Sequence, residues 1–158
     1  MAGSIVQSKF NEAAAAATTI ATGSFGSNVT ANNWLWILVN GDAADTTTIT
    51  QNSGTATIGS VTQQSSSIGP GPGILEEWTS LTCQITGTGS LDLLCTFGGS
   101  RSNRQILAFE ITGVNAVDSG GGASQADGGT NPTPSLSITV GSQPAFCLAA
   151  CVDYQGGT

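Results

Sequence analysis

The sequence predicts an all-β fold, an antiparallel β-sandwich of the Ig-like or jelly-roll-like kind. Glycine supplies 22 of the 158 residues, threonine and serine are abundant, and only 8% of residues are charged, whereas a helical protein would coat its exposed faces with Lys, Glu and Arg. Short alternating runs separated by turn residues suit a sandwich. With 39% hydrophobic residues the chain has enough apolar surface to fold. Its length suits one domain spanning residues 1–158.

The stretch Thr79–Phe97 predicts a β-hairpin around which the chain is organised. Two alternating runs flank Gly87-Thr88-Gly89, where small residues free to take positive φ let the chain reverse. Folding about Gly89 gives a register in which every large apolar side chain except Leu91 and Leu94 lies on one core-facing side. The facing pairs are Leu81 with Phe97, Cys83 with Cys95, and Ile85 with Leu93.

The N-terminal part predicts two short strands and then the most apolar segment of the chain. Ile5–Phe10 and Thr18–Thr22 alternate as strands do. Ala13–Ala17 between them is either one helical turn or a flexible link, because five residues are too few to nucleate a helix alone. The run Trp34–Val39 predicts a central strand buried on both faces.

The remaining segments predict further strands and two long loops. The predicted strands are Thr46–Thr50, Ala56–Ile58, Val61–Gln63, Ile106–Ile111, Leu136–Val140 and Ala145–Val152. Loops are predicted at residues 64–74 and 119–134, which are rich in Gly, Ser and Pro, because proline lacks a backbone donor and glycine has high backbone entropy.

Charge and terminal composition exclude several classes of function. Three basic residues against ten acidic ones give a net charge of −7, so little could replace phosphate counterions and no nucleic-acid partner is expected. No run approaches the roughly 20 apolar residues of a membrane helix, so no membrane partner is expected. The first residues lack the basic and apolar regions of a signal peptide, which predicts a chain made in the cytoplasm from its own start codon.

The residue types needed for most catalysis are missing or badly spaced. The chain has no histidine, which removes the usual general base and the commonest metal ligand. We therefore expect no enzymatic activity and no cofactor. Asp42 and Asp45 are candidates for a calcium site, but their loop lacks the dense acidic pattern of a dedicated one.

The four cysteines do not show the paired knuckles of a zinc site. Cys83 and Cys95 predict either a cross-strand disulfide or two buried free thiols that pack as small hydrophobes. Cys147 and Cys151 cannot bond to each other within a straight strand, because four residues span about 13 Å. They are either free or bridge to another subunit.

Three segments together resemble a known set of domains. They are Ile5-Val6-Gln7-Ser8, the run Ser27–Asn33 leading into Trp34–Val39, and Phe109–Val114. This pattern is similar to small β-sandwich domains of bacteriophage virion proteins and of bacterial secreted or surface proteins. Members of that set usually continue with a further hairpin after the strand that corresponds to Ala145–Val152. The resemblance thus implies an open sheet edge, covered either by a neighbouring chain or by the N-terminal strand.

These observations predict a non-enzymatic structural protein of a virus particle. The expected role is a phage capsid decoration or cement protein that binds its own copies and the major capsid protein, with a tail, neck or fibre component as an alternative. Trp78 and Tyr154 are the candidate interface anchors. The other alternative is a secreted bacterial adhesion or carbohydrate-binding module, at the cell surface rather than in a virion, that uses the same two aromatic residues for stacking.

Overall fold

A computed structural model describes residues 3–42, 47–68 and 76–117, together with Leu148. These residues form antiparallel strands in two sheets, as the sequence predicted. The strands are β1 Ser4–Ala13, β2 Ala17–Ala21, β3 Trp34–Asp42, β4 Thr47–Gly54, β5 Thr57–Ile58, β6 Thr62–Ile68, β7 Glu76–Gly87, β8 Leu91–Arg101 and β9 Arg104–Thr112.

Among the described residues, the larger sheet has six strands in the order β1-β9-β3-β7, with β5 and β6 both paired to the remaining edge of β7. β3 lies between β9 and β7, which confirms the predicted central strand. Leu35, Ile37 and Val39 point into the core and are almost fully buried. On the other face of β3, Leu38 is also buried, whereas Trp34 and Trp36 are half-buried, so this face is less covered than predicted.

In the part of the chain that the structure describes, the smaller sheet has three strands in the order β2-β8-β4, and it packs against the larger sheet. Its inward side chains alternate along each strand with outward ones, as expected for a sheet with one buried face. One hydrophobic core fills the space between the sheets. Its largest contributions come from Leu35, Ile37, Val39, Leu81, Ile85 and Ile106 on the larger sheet and from Ile20, Ile49, Leu91, Leu93 and Phe97 on the smaller one.

The prediction that Thr79–Phe97 forms a hairpin is wrong, because its two strands do not pair with each other. β7 pairs with β3, β5 and β6 in the larger sheet, whereas β8 pairs with β2 and β4 in the smaller sheet. The two runs therefore face the core from opposite layers. The alternation of apolar and polar residues is the same in both arrangements. It depends only on the geometry of a single strand, and not on whether the next strand is its hydrogen-bonded partner or lies in the opposite sheet.

The connection between β7 and β8 is held by close backbone approach. Gly89 forms an isolated antiparallel bridge with Val29, with N···O distances of 2.8 and 3.1 Å. A Cβ at Gly89 would lie 2.3 Å from Thr55 Oγ1 and 2.6 Å from the backbone nitrogen of Ala56. Glycine is thus required here for space, and the positive φ that the sequence suggested is not present at Gly87 or Gly89.

Other strand predictions are confirmed with shifted ends. β1 ends at Ala13 and β2 begins at Ala17, so the alanine run is a short link and not a helical turn. β6 continues to Ile68, so residues 64–68 are strand and not part of a loop over residues 64–74. This extension follows from backbone pairing with β7, which overrides the weak strand preference of serine. The predicted loop at 119–134 and the strands Leu136–Val140 and Ala145–Val152 lie outside the described residues, apart from Leu148.

Candidate functional site

The outer strand β1 exposes three large apolar side chains. Ile5, Val6 and Phe10 are 47%, 51% and 52% exposed, and we call these three residues the β1 edge. A bulge between Ile5 and Gln7 inserts Val6 into the strand as an extra residue. Because a bulge reverses the side-chain alternation, Ile5 and Phe10 lie on the same outward face although one is odd-numbered and the other even-numbered.

Inward side chains of β1 close one side of the sandwich. Gln7 donates from Nε2 to the Ser27 carbonyl at 3.3 Å, and its Oε1 accepts from the Ser27 backbone nitrogen at 3.2 Å. Further along β1, Asn11 Nδ2 donates to the Ala21 carbonyl at 2.7 Å. These bonds tie the end strand of the larger sheet to the loop after β2 and to β2 itself.

A buried carboxylate lies behind β1. Glu110 on β9 is 0% exposed, and it accepts hydrogen bonds from Gln7 Nε2 at 2.6 Å, Asn33 Nδ2 at 2.6 Å and the Thr30 backbone nitrogen at 2.8 Å. All three donors are neutral amides. A buried carboxylate with several donors is a strong acceptor, so Glu110 joins β1, β9 and the loop that precedes β3.

A second buried carboxylate stabilises the smaller sheet. Asp92 on β8 accepts from Thr22 Oγ1 at 3.2 Å, from Asn52 Nδ2 at 2.7 Å and from Ser53 Oγ at 3.4 Å. Thr22 Oγ1 also accepts from the Leu93 backbone nitrogen at 2.9 Å. Both buried acids thus bind several polar groups of their own chain, as buried polar groups do.

Cys83 and Cys95 are buried free thiols in the core, on β7 and β8. Because these strands lie in different sheets, the predicted cross-strand pairing of the two cysteines is wrong. Burial raises the pKa of each thiol to about 12, and for Cys95 the nearby Arg104 charge partly offsets this. Thiols with such pKa values stay protonated at neutral pH and are poor nucleophiles.

Arg104 is a buried basic residue at the boundary of the core. Its guanidinium group donates to the carbonyl oxygens of Ala15 and Thr19, on either side of the start of β2. The side chain is 4% exposed. Arg104 therefore fixes the short link between β1 and β2.

Aromatic side chains cover part of the outer face of the larger sheet. Trp36 stacks on Phe109 with ring centroids 5.5 Å apart, and its Nε1 donates to Ser80 Oγ at 2.8 Å. Trp78, a predicted interface anchor, lies opposite Asn40 on this face and is half-buried. Within the described part of the chain, Trp78 Nε1 and Asn40 Oδ1 are buried without a hydrogen-bond partner.

Among the described residues, the side of the sandwich opposite β1 has a cleft. A cleft of about 580 Å³ lies between β4, the outer strand of the smaller sheet, and the β5 and β6 strands of the larger sheet. Its apolar surface comes from Ile49, Ile58, Val61 and Leu81, and Gln51 and Gln63 are among its polar lining residues. The described residues that line this cleft carry no charge.

Several predicted site residues are not brought together by the described structure. Asp42 ends β3, and neither its side chain nor Asp45 is among the described groups, so the calcium prediction stays untested. Cys147, Cys151 and Tyr154 also lie outside the described residues. Among residues 3–42, 47–68 and 76–117, no three His, Cys, Asp or Glu side chains are grouped so that they could hold a metal ion.

Sequence reasoning missed Glu110, the cleft and the bulge at Val6. One signal for Glu110 was available, since it is the only charged residue in the apolar run Ile106–Ile111, and such a residue needs partners if its face is buried. The cleft had no local signal, because its lining residues lie on separate strands that come together only in the packed structure.

No protein-family model, curated protein or solved structure matches this chain. In the part of the chain that the structure describes, no helix is long and apolar enough to cross a bilayer.

Proposed function

We propose that this chain is a structural protein of a virus particle, a capsid decoration or cement protein that acts through surface contacts. The observation that supports this proposal is the β1 edge, where Ile5, Val6 and Phe10 are about half exposed on an outer strand. Soluble proteins usually protect outer strands with charges, bulges or covering segments. β1 has a bulge at Val6 and carries Lys9 and Glu12, yet it also presents three large apolar side chains. An exposed apolar surface of this kind is suited to contact with another protein.

Side-chain hydrogen bonds attach β1 to the rest of the sandwich. Gln7 is bound to Ser27 and to the buried Glu110, and Asn11 is bound to Ala21. A rigid strand loses little conformational entropy on binding, so more of its contact free energy is available for affinity. The low content of charged residues, 8%, also suits close packing against a shell.

The test is quantitative mass spectrometry of particles purified on a density gradient from cells that carry the gene. A decoration protein should co-purify with the particle band, at a constant and high copy-number ratio to the shell protein. A tail, neck or fibre component would be present at a few copies per particle. Recovery of the chain only in particle-free fractions would overturn the proposal.

A second candidate is an adhesion or carbohydrate-binding module. It is favoured by the Trp36–Phe109 stack on the outer face of the larger sheet, beside the hydroxyl of Ser80, because sugars bind to aromatic rings flanked by polar groups. Glycan-array binding that is lost in Trp36→Ala would support this candidate. Binding to particles with no glycan binding would support the first.

A further inference from the structure

We infer that residues 145–152, the C-terminal segment, pack against the outer face of the larger sheet within the same chain. The outer face is the side of β9, β3 and β7 that points away from the smaller sheet, and it carries Trp34, Trp36 and Phe109. The inference goes beyond the proposed function, which uses β1. It also places the segment over the Trp36–Phe109 stack, so it competes with the second candidate function for that surface.

Residues on the outer face are buried although no described strand lies over them. Ile111, Leu38 and Asn40 are 5%, 6% and 5% exposed. Ile111 lies opposite Trp34 in the register of β9 and β3, and Leu38 and Asn40 are on the same side of β3 as Trp34. The smaller sheet packs on the other side. Burial on the outer face therefore indicates a cover that comes from the rest of the chain.

Three polar atoms indicate the same cover. Trp34 Nε1, Trp78 Nε1 and Asn40 Oδ1 are buried and, within the described part of the chain, have no hydrogen-bond partner. All three side chains lie on the outer face, because Trp78 is the register partner of Asn40. Polar atoms on the outward side of a sheet normally bind water, so something keeps water away from this face.

The position of the remaining segments favours the C-terminal part of the chain as the cover. Trp34 and Asn40 are six residues apart on β3, which is about 20 Å. Residues 69–75 connect β6 to β7 at the Trp78 end of the face, and seven residues that go out and return reach only about 12 Å. Residues 43–46 connect β3 to β4 in the other sheet. Residues 118–158 follow β9, which ends at the Trp34 end of the face, and eight extended residues span about 26 Å.

The composition of the segment suits an apolar and aromatic surface. Residues 128–152 contain no charged side chain, so this contact would bury no charge. Residues 145–152 are all apolar, and five of these eight are Ala or Cys, whose small side chains allow a backbone to approach bulky indole rings closely. Left in water, such a run would be prone to aggregate. Leu148, which the structure describes within this run, is only partly exposed.

The experiment measures the fluorescence of the full-length chain, whose three tryptophans all lie on the outer face. Leu148→Asp puts a charge into the segment, and Phe146→Ser is a milder second variant. The matched control is Thr50→Asp, which adds the same charge at an exposed position of β4 in the smaller sheet. Resistance of the buried Cys83 and Cys95 to iodoacetamide shows that the sandwich of each variant is intact.

Acrylamide should quench the tryptophans of the wild type and of Thr50→Asp only weakly. Leu148→Asp and Phe146→Ser should increase the quenching constant and shift the emission to longer wavelength, because water and quencher then reach the indole rings. Dilution of the wild type should change neither quantity, since the cover belongs to the same chain.

Three results would overturn the inference. The first is a wild type whose tryptophans are quenched as strongly as in urea. The second is unchanged fluorescence in a segment variant whose sandwich is intact. The third is quenching of the wild type that increases on dilution, which would show that a second copy covers the face. Presence in purified particles is measured separately, so the proposed function survives each of these results.

Discussion

Gln7 on β1 donates a hydrogen bond of 2.6 Å to Glu110 on β9, across 103 residues of sequence. The two residues are direct partners in the register of these strands, and both point inward. The same carboxylate binds Asn33 and the Thr30 backbone. The buried carboxylate thus adds side-chain contacts to the backbone pairing with β9 that positions β1.

Replacing Glu110 by Gln should destabilise the protein by about 2–3 kcal/mol. The substitution keeps the size of the side chain but puts an NH₂ donor among three donors, so buried groups lose their acceptor. Urea unfolding followed by tryptophan fluorescence measures the change. Glu12→Gln, at an exposed position of β1, is the control and should change stability by less than about 0.5 kcal/mol. Equal stability of both variants would show that the carboxylate is dispensable.

Gly89→Ala should destabilise the fold by about 1–3 kcal/mol, because the new methyl group would meet Thr55 and the Ala56 backbone at 2.3 and 2.6 Å. Gly26→Ala is the matched control, since a Cβ at Gly26 has no neighbour within 4 Å. Melting temperatures of the two variants make the comparison. A wild-type melting temperature for Gly89→Ala would contradict the close approach of the β7–β8 connection and the segment after β4.

Leu93 and its neighbour Leu94 test the orientation of β8. Leu93 is 0% exposed in the core and Leu94 is half-buried on the outward side. Leu93→Ala should cost about 2–5 kcal/mol through lost burial and a residual cavity, and Leu94→Ala about 1 kcal/mol. Denaturant unfolding of both variants under identical conditions reports the difference. The reverse order would mean that the register of β8 is shifted by one residue.

The buried thiols of Cys83 and Cys95 should resist alkylation in the native protein. Their pKa values of about 12 keep the thiolate fraction very low at pH 8. Peptide mapping after iodoacetamide treatment should find both unmodified in the folded protein and both modified in denaturant. Modification of either cysteine without denaturant would contradict their burial.

The same two cysteines should make the fold sensitive to alkaline pH. Folding raises each pKa from 9.0 to about 12, so the folded state holds its protons more tightly than the unfolded state. Their contribution to stability is therefore complete below pH 9 and decreases as pH rises towards 12. Urea midpoints measured between pH 8 and pH 11 check this, and Cys83→Ala should reduce the slope. A midpoint that increases over this range would contradict the sign.

Most strands could be predicted from local pattern, and their pairing could not. Leu81, Cys83 and Ile85 were correctly placed on a core-facing side, because alternation is a property of a single strand. Their partners were assigned to β8, since a short glycine-containing connection is compatible with a hairpin. The structure instead pairs them with β3, because the long apolar strand Trp34–Asp42 needs neighbours on both sides.

The candidate site was predicted only in part. Trp78 was singled out as an exposed anchor, yet it is half-buried opposite Asn40. Ile5 and Phe10 were assigned to an N-terminal strand whose expected role was at most to cover an open sheet edge. Their exposure on a common face was missed, because it depends on the bulge at Val6. A bulge is fixed by the register with the neighbouring strand, so it is not visible in the alternation of β1 alone.

The sequence by itself determined the fold class, the approximate position of each described strand, and which side chains of β7 and, apart from Leu91, of β8 face the core. It could do so because turn residues and a two-residue period act over a few neighbouring positions. Only the tertiary structure decided that β7 and β8 lie in different sheets, that Glu110 binds Gln7, and that the described strands leave a cleft beside β4. These features depend on which strands pair over long distances in sequence, and that pairing is a property of the packed chain and not of any local stretch.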